Sequence, residues 1–282
     1  MRYVILGGHG MLGHDLERAL AGRDVAVLGR GDVDITDASA VRDAVAGAGA
    51  VVNAAAYTRV DDAETDEEAA RAVNAVGAGN AAAAAAAAGA SYVQVSTDYV
   101  FGGTATEPYA EDEPLAPVGA YGRTKAEGET LVRAAHPTPY IVRTAWLYGA
   151  HGNNFPKTML KLAENRATID VVSDQVGQPT WSFDLARAIV RLLDADAPPG
   201  IYHGTNAGRA TWFDLARETF QLAGLDADRI HPTDSQAFVR PAPRPAFSVL
   251  SHDAWSRIGL EAPRSWQDAL ADAYRDGALS TA

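Results

Sequence analysis

Residues 3–13 read Tyr-Val-Ile-Leu-Gly-Gly-His-Gly-Met-Leu-Gly, an apolar run that leads directly into a glycine-rich turn. The run predicts a buried strand, and the sequence after the turn predicts a helix that extends to about Ala21. Within the turn, Gly7 permits the tight bend, Gly10 lets the backbone approach a pyrophosphate, and Gly13 lets the helix pack closely on the strand. A glycine turn can also occur without a ligand. The strand before it and the helix after it favour a dinucleotide site at the helix N-terminus.

The next predicted strand, 25–28, is followed by Arg30, at the position where this kind of fold selects its cofactor. An acidic residue about 20 positions after the glycines would bind the ribose hydroxyls of NAD. A guanidinium would instead bind the 2′-phosphate of NADP, and the alternative is a solvated loop arginine. The sequence therefore predicts NADPH as the cofactor, with NADH left open, and places Asp34 and Ile35 beside the adenine.

Strands and helices alternate through the first half of the chain. The predicted strands are 3–6, 25–28, 50–56, 92–95 and 140–146, and the predicted helices after the first one are 38–47, 67–88 and 121–135. This alternation is typical of an α/β protein with a Rossmann-type doubly wound parallel sheet. Ligands of such sheets bind beyond the carboxyl ends of the strands, where segments 7–13, 54–58 and 96–98 fall.

After Gly149 the alternation loosens into shorter elements, which predict a smaller α+β substrate-binding lobe over the crevice. The predicted helices there are 154–165, 183–193, 212–223 and 266–274, and the predicted strands are 169–172 and 200–206. We expect an NAD(P)-binding domain at 1–149 and a mainly substrate-binding lobe at 150–282. Segments such as 181–206 are expected to return to the main sheet.

The composition excludes several classes of function. The formal net charge is −12, from 24 Lys and Arg against 36 Asp and Glu, which argues against nucleic-acid or anionic-membrane binding. The chain has no cysteine, so disulfides, thiolate metal sites and a cysteine nucleophile are ruled out. No stretch is apolar enough to span a bilayer, and the first apolar run is too short for a signal peptide. These features predict a cytoplasmic protein.

A candidate catalytic pair lies at Tyr121 and Lys125, four residues apart and therefore on one face of a predicted helix. An ammonium beside a phenol favours the phenolate and lets the tyrosine exchange a proton nearer neutral pH. Carbonyl reduction requires such a proton for the oxygen while a hydride reaches the carbon. The same spacing is common on solvated helices, so the surrounding motifs decide between the two interpretations.

Several further motifs occur in a fixed order along the chain. They are Val52-Asn-Ala-Ala-Ala-Tyr-Thr58 with Asp61, Ser96-Thr-Asp-Tyr-Val-Phe101, Tyr121-Gly-Arg-Thr-Lys125, Arg143-Thr-Ala-Trp-Leu-Tyr148, Gly152-Asn-Asn-Phe-Pro-Lys-Thr-Met-Leu160, Asp174-Gln175 with Pro179-Thr180, and Arg244-Pro245 with Ser248. With the glycine turn, this set resembles the extended short-chain dehydrogenase/reductase superfamily over nearly the full length. Within it, the chain resembles the dTDP-4-dehydrorhamnose reductase family.

The resemblance implies NADPH-dependent reduction of the C4 keto group of a dTDP-linked 4-keto-6-deoxy sugar, dTDP-4-dehydro-L-rhamnose, to dTDP-L-rhamnose. Tyr121 would donate the proton, Lys125 would hold the nicotinamide ribose and lower the tyrosine pKa, and Thr97 would hydrogen-bond the keto oxygen. The implied cofactor contacts are Gly7, Gly10, Met11, Leu12, Gly13, Arg30, Asp34, Ile35, Ala54, Ala55, Ala56, Tyr57, Thr58, Val95, Tyr121 and Lys125. The implied substrate contacts are Thr97, Asp98, Trp146, Asn154, Lys157 and Arg244.

Structural roles are open for most of the substrate residues. Trp146 could be core, Asp98 could cap a turn, Asn154 could cap a helix, and Lys157 and Arg244 could be solvated. No carboxylate or histidine cluster calls for a catalytic metal, and a homodimer is left open.

Two other functions remain on the same fold. One is a nucleotide-sugar epimerase or dehydratase, although dehydratases are associated with an Asp-Glu pair where this chain has Asp98-Tyr99. The other is a non-catalytic NADP-binding regulatory subunit, against which the presence of Thr97, Tyr121 and Lys125 together argues.

Overall fold

The computed structural model describes residues 1–280, and its centre is a six-stranded sheet. The strands are β1 (Arg2–Leu6), β2 (Asp24–Leu28), β3 (Ala50–Asn53), β4 (Ser91–Thr97), β5 (Tyr140–Thr144), β6 (Leu147–Tyr148), β7 (Ile169–Val172), β8 (Val176–Gly177), β9 (Thr180–Trp181), β10 (Gly200–His203), β11 (Ala210–Thr211) and β12 (Ile230–Thr233). The α-helices are α1 (Met11–Ala19), α2 (Ala38–Ala44), α3 (Glu67–Arg71), α4 (Ala78–Ala87), α5 (Ala120–Ala135), α6 (Phe155–Ala163), α7 (Ser182–Asp194), α8 (Trp212–Leu222), α9 (Asp253–Arg257) and α10 (Trp266–Arg275).

The main sheet has the order β10-β5-β4-β3-β1-β2, and every neighbouring pair is parallel. Both faces are buried, so strands such as β1 are apolar at successive positions rather than at alternate ones. Tyr3 and Ile5 enter the core under α1 and α7, whereas Val4 and Leu6 enter the core under α2 and α4. The predicted Rossmann-type doubly wound sheet is confirmed.

One predicted helix, 67–88, is interrupted. Between α3 and α4 the chain makes a π-helical turn over Ala72–Gly77. Such turns place one extra residue in a helix and occur often at functional sites. Here Gly128 of α5 lies so close that a Cβ on it would be 2.1 Å from the carbonyl oxygen of Asn74. The π-helical turn and α5 therefore pack backbone against backbone, which fixes Asn74 beside the helix that carries Tyr121.

The second half of the chain contributes to both parts of the molecule. The strand pairs β6–β9, β7–β12 and β8–β11 form small sheets that pack with α6, α8 and α10 around two further apolar clusters. In contrast, β10 pairs with β5 at the edge of the main sheet, and α7 packs on α1. The division into a cofactor domain and a substrate lobe stays a proposal about their roles.

A buried ion pair lies under the centre of α5. Arg143 of β5 donates two hydrogen bonds to Glu129 of α5, at 2.9 and 2.8 Å, and their side chains are 2% and 0% exposed. The hydroxyl of Ser96 donates to the same carboxylate at 2.6 Å, and Arg143 also donates to the carbonyl oxygen of Glu111 at 3.0 Å. The network joins β4, β5 and α5 at the level of the candidate site.

Candidate active site

The glycine turn after β1 forms a cradle for a phosphate. Gly7 has a φ of +76°, and a Cβ on it would lie 2.5 Å from the backbone nitrogen of Ala55. Gly10 caps α1 without a side chain, so the first N–H groups of α1, those of Met11, Leu12 and Gly13, are not bonded by a capping side chain. Those donors and the positive end of the helix dipole suit a pyrophosphate. The residues present therefore fit a dinucleotide.

Gly13 differs in detail from its predicted role. A Cβ at Gly13 would lie 2.2 Å from the carbonyl oxygen of Gly8, so its closest neighbour is the turn and not strand β1.

The residues predicted to lie beside the adenine also make contacts within the protein. Arg30 is exposed after β2, and its charge contributes to lowering the pKa of Asp34, for which hydrogen bonds from Thr36 are the main cause. The side chain of Ile35 is buried in the core, where a Cβ on Gly77 would lie 2.6 Å from it. Ile35 therefore has a packing role against the π-helical turn, and its contact with an adenine stays a prediction.

The segment 54–58 follows β3 and is held by two buried asparagines. Asn53 accepts a hydrogen bond from the backbone N–H of Ala55 at 3.1 Å. Asn74 accepts from the N–H of Tyr57 at 2.8 Å and donates to Thr124 of α5 at 3.1 Å. Ala54, Ala56 and Thr58 thus lie on a loop whose position is tied to the helix of Tyr121. No role is predicted for Asn74 from the sequence, where its one signal is that it is a polar residue inside an alanine-rich helix.

The candidate catalytic hydroxyls meet beyond the carboxyl end of β4. The hydroxyl of Tyr121 lies close to that of Thr97, which donates to Asp98 at 3.0 Å. The ring of Tyr99 packs edge-on against Tyr121, with 5.6 Å between the ring centroids. Burial raises the pKa of Tyr121 to about 12, so its hydroxyl keeps its proton at neutral pH. A neutral phenol in this position can act as a proton donor.

Lys125 is hydrogen-bonded to the carboxyl-terminal part of β4. Its ammonium donates to the carbonyl oxygen of Val95 at 2.7 Å. Burial lowers the pKa of Lys125 to about 8, against the opposing charge of Glu129. Burial raises the Tyr121 pKa, and a lowering of that pKa by Lys125 stays a prediction.

Asp98 has a strongly perturbed carboxyl group beside the hydroxyls of Thr97 and Tyr121. It is 1% exposed, and its Oδ2 accepts no hydrogen bond of good geometry from the described residues, although the Ser248 hydroxyl is close. Burial raises its pKa from 3.8 to about 6, which Ser248 and Thr97 only partly offset. A group with this pKa changes charge near physiological pH, directly beside Thr97.

The raised pKa of Asp98 predicts a specific pH dependence of stability. The pKa of Asp98 is higher in the folded protein than in the unfolded chain, where it is 3.8. Protonated Asp98 therefore contributes its full stability below pH 3.8, and this stability is lost as the pH rises through about 6. When the pH is raised from about 5.5 to about 8, we expect Asp98 to lower the free energy of unfolding by about 1 kcal/mol. Urea unfolding of wild type and Asp98→Asn at both pH values measures this difference. An equal change with pH in both proteins would contradict it.

The remaining predicted substrate residues fall into two groups. Arg244 lies beside Tyr99, and its guanidinium is paired with Asp61 at 2.8 Å, so it is not a solvated cation. Asn154 caps α6 by accepting from the N–H of Lys157 at 3.2 Å, and it donates to Gly149, so both ends of its amide are used. The ammonium of Lys157 donates to the carbonyl of Ala150.

Trp146, two residues after the end of β5, is partly buried and stacks on Trp212. The site thus brings Thr97, Asp98, Tyr121 and Arg244 together, whereas Asn154 caps α6 and Lys157 lies in the first turn of that helix.

A family profile described as RmlD substrate binding domain matches residues 1–278. The chain belongs to this family. Its membership confirms the resemblance drawn from the ordered motifs, and the chain is an NAD(P)-dependent oxidoreductase. No helix within residues 1–280 combines the length and apolar character needed to cross a membrane.

Relatives within the RmlD family are similar over nearly their whole length. A Streptomyces antibioticus protein named "Probable dTDP-4,6-dihydroxy-2-methyloxan-3-one 4-ketoreductase" is 51% identical, over 98% of this chain and 95% of the relative. The dTDP-4-dehydrorhamnose reductase of Streptomyces griseus is 49% identical, over 97% and 93%. The crystal structure of the Bacillus anthracis dTDP-4-dehydrorhamnose reductase in complex with NADP is 37% identical, with a TM-score of 0.94 over 98% of this chain and 99% of that chain. The predicted nicotinamide cofactor is therefore confirmed for the family.

Proposed function

We propose that this protein reduces the C4 keto group of dTDP-4-dehydro-L-rhamnose to give dTDP-L-rhamnose, with NADPH as the reductant. The observation that carries the proposal is the meeting of the Thr97 and Tyr121 hydroxyls at the carboxyl end of β4. This edge of the sheet also carries the glycine cradle and the loop 54–58, so a cofactor and a keto sugar would share one crevice. The names of the relatives from Streptomyces griseus and Bacillus anthracis support the same substrate.

Each residue of the crevice has a distinct part in this reaction. The N–H groups at the start of α1 would hold the pyrophosphate, and Lys125 would hold the nicotinamide ribose. Bound NADPH would supply the hydride to C4. Thr97 would donate a hydrogen bond to the keto oxygen and stabilise the negative charge that develops there. Tyr121, protonated at neutral pH, would transfer its proton to that oxygen.

Three residues of the crevice would contact the sugar nucleotide. Asp98 would contact the sugar ring, and Trp146 would form an apolar wall beside it. Arg244 would interact with the diphosphate through the guanidinium edge that Asp61 leaves free, since a guanidinium has five N–H donors. We place the reaction in the cytoplasm, which the absence of cysteine supports.

The Streptomyces antibioticus relative supports a second candidate substrate. Its name gives a 4-ketoreductase of another dTDP-linked sugar, dTDP-4,6-dihydroxy-2-methyloxan-3-one. Both candidates require the same hydride and proton transfers, so the catalytic residues keep their roles under either. The residues that line the sugar pocket would discriminate between the two sugars. Single contacts of this kind change the relative free energy of binding by about 1–3 kcal/mol.

The direct test is NADPH oxidation, followed by absorbance, with each sugar nucleotide in turn. For the first candidate, the substrate is dTDP-4-keto-6-deoxyglucose supplied with a 3,5-epimerase. We expect turnover with NADPH, and a higher kcat/KM for the rhamnose precursor than for the second sugar. The reverse order would make the second candidate the substrate. A protein that binds NADPH but reduces neither sugar would overturn the proposal.

The preference for NADPH is tested at Arg30. We expect Arg30→Ala to raise the KM for NADPH by about 10- to 100-fold, because a hydrogen bond to a charged group contributes about 1.5–3 kcal/mol. The KM for NADH should stay nearly the same, since NADH lacks the 2′-phosphate. Arg42→Ala, at the exposed end of α2, is the matched control and should change neither value. An equal rise in KM for NADPH and NADH would show that Arg30 does not bind the 2′-phosphate.

A further inference from the structure

Trp146 has an unusual backbone conformation. Its φ is +47°, in the left-handed region that bulky side chains rarely occupy. The residue lies between β5 and β6, where the chain leaves the main sheet for the second lobe. Strained residues of this kind persist only where surrounding contacts determine them.

Two contacts confine the indole of Trp146. Its ring stacks on Trp212, with 3.6 Å between the ring centroids and 8° between the planes. Phe155 packs against the same Trp212 ring, at 4.7 Å. A Cβ on Gly177 would lie 2.6–2.9 Å from three atoms of the Trp146 indole, so only glycine admits the ring there. The indole is thus held between β8 and the start of α8.

Trp212 is itself anchored by polar contacts. It is the first residue of α8, whose N-terminus is closed by a capping box between Thr211 and Asp214. Its indole N–H donates to the amide oxygen of Gln175 at 3.1 Å. The amide nitrogen of Gln175 donates in turn to Ser235 at 2.8 Å. These contacts hold the Trp212 ring in place independently of its contact with Trp146.

Strand β8 connects this stack to the catalytic hydroxyls. Next to Gly177, the carbonyl oxygen of Val176 accepts a hydrogen bond from the N–H of Ser248 at 2.8 Å. The hydroxyl of Ser248 is the group that lowers the pKa of Asp98 most. Trp146 thus packs on the strand that is bonded to Ser248, the neighbour of Asp98, and in the proposed function Asp98 contacts the sugar ring.

We propose that Trp212 is a positioning residue that fixes the indole of Trp146 as a wall of the sugar pocket. This inference rests on the proposed function, in which Trp146 contacts the sugar of the dTDP-linked substrate. Trp212 stacks on Trp146 and need not touch the substrate. The wall is therefore built from both parts of the chain, with Trp146 following the main sheet and Trp212 beginning a helix of the second lobe.

A double-mutant cycle measures whether Trp212 acts through Trp146. We expect Trp212→Ala to raise the KM for the sugar nucleotide by roughly tenfold, with a smaller change in kcat and none in the KM for NADPH. Trp212→Phe retains a stacking ring and should restore most of the lost affinity. In a Trp146→Ala background, Trp212→Ala should have little further effect. The same rise in KM in both backgrounds would overturn the proposal.

Circular dichroism tests the stack without the reaction. Trp146 and Trp212 form the one stacked pair of tryptophans within residues 1–280, so an exciton couplet of the indole bands reports on them. We expect the couplet in wild type, its loss in Trp212→Phe and its weakening in Gly177→Ala. Trp255→Phe, which removes a buried tryptophan from a different apolar cluster, should keep both the couplet and the kinetic constants.

The outcomes separate the two proposals. A wild-type protein that reduces the sugar nucleotide but shows no couplet would overturn the positioning role of Trp212 alone. A wild-type protein that shows the couplet but reduces neither sugar nucleotide would overturn the proposed function, and with it the role of the stack in substrate binding.

Discussion

Tyr121→Phe is expected to lower kcat by about 100- to 10,000-fold, the usual contribution of a positioned proton donor. The phenylalanine keeps the ring that packs against Tyr99 and removes only the hydroxyl next to Thr97. Since no other contact of the fold depends on that hydroxyl in the described residues, cofactor affinity should stay nearly unchanged. Single-turnover NADPH oxidation and NADPH fluorescence titration measure the two quantities.

The matched control is Tyr140→Phe, in strand β5 and away from the crevice. Its hydroxyl donates to the carbonyl oxygen of Ala197 at 2.6 Å, so its loss should reduce stability by about 1 kcal/mol without reducing kcat. A Tyr121→Phe protein that kept most of its turnover would show that another group donates the proton. A large loss of NADPH affinity in that variant would instead assign the hydroxyl to cofactor binding.

Glu129→Ala is expected to lower the free energy of unfolding by about 3–5 kcal/mol. The substitution leaves the guanidinium of Arg143 buried without a counter-charge, and it also removes the acceptor of Ser96. An uncompensated buried charge costs far more than the pair itself contributes. Urea unfolding at neutral pH measures the loss. A change of less than about 1 kcal/mol would mean that water reaches Arg143 in the variant.

The same helix supplies the control for this variant. Glu127, two residues earlier on α5, pairs with Arg71, and the side chains of Glu127 and Arg71 are 37% and 51% exposed. Glu127→Ala should therefore have a much smaller effect. The double variant Glu129→Met with Arg143→Met should recover part of the stability lost by Glu129→Ala, because it removes the orphaned charge as well.

The fold was predictable because its main elements carry local signals. The glycine turn, the apolar runs and the alternation of strand and helix are each readable within a few residues, and together they limit the topology. The paired strands β8 and β11 have two residues each and no periodicity, so they exist only through contacts between distant segments. The π-helical turn was missed for the same reason, since α5 rather than the sequence of 72–77 determines it.

The candidate site was predictable in its residues more than in its interactions. Motif order pointed to Thr97, Tyr121 and Lys125, but the spacing of a tyrosine and a lysine does not say where the ammonium points. In the structure it bonds to Val95, and burial raises the tyrosine pKa. Trp212 could not be linked to Trp146 from sequence, because their contact depends on how the second lobe folds back.

The return of β10 to the main sheet has a consequence for synthesis of the chain. Until residues 200–203 leave the ribosome, β5 is an open edge with free backbone donors and acceptors. The apolar face of α1 likewise stays uncovered until α7 is made. A nascent chain that ends near residue 149 should therefore be prone to aggregate, and chaperones that bind nascent polypeptides should engage it over this interval.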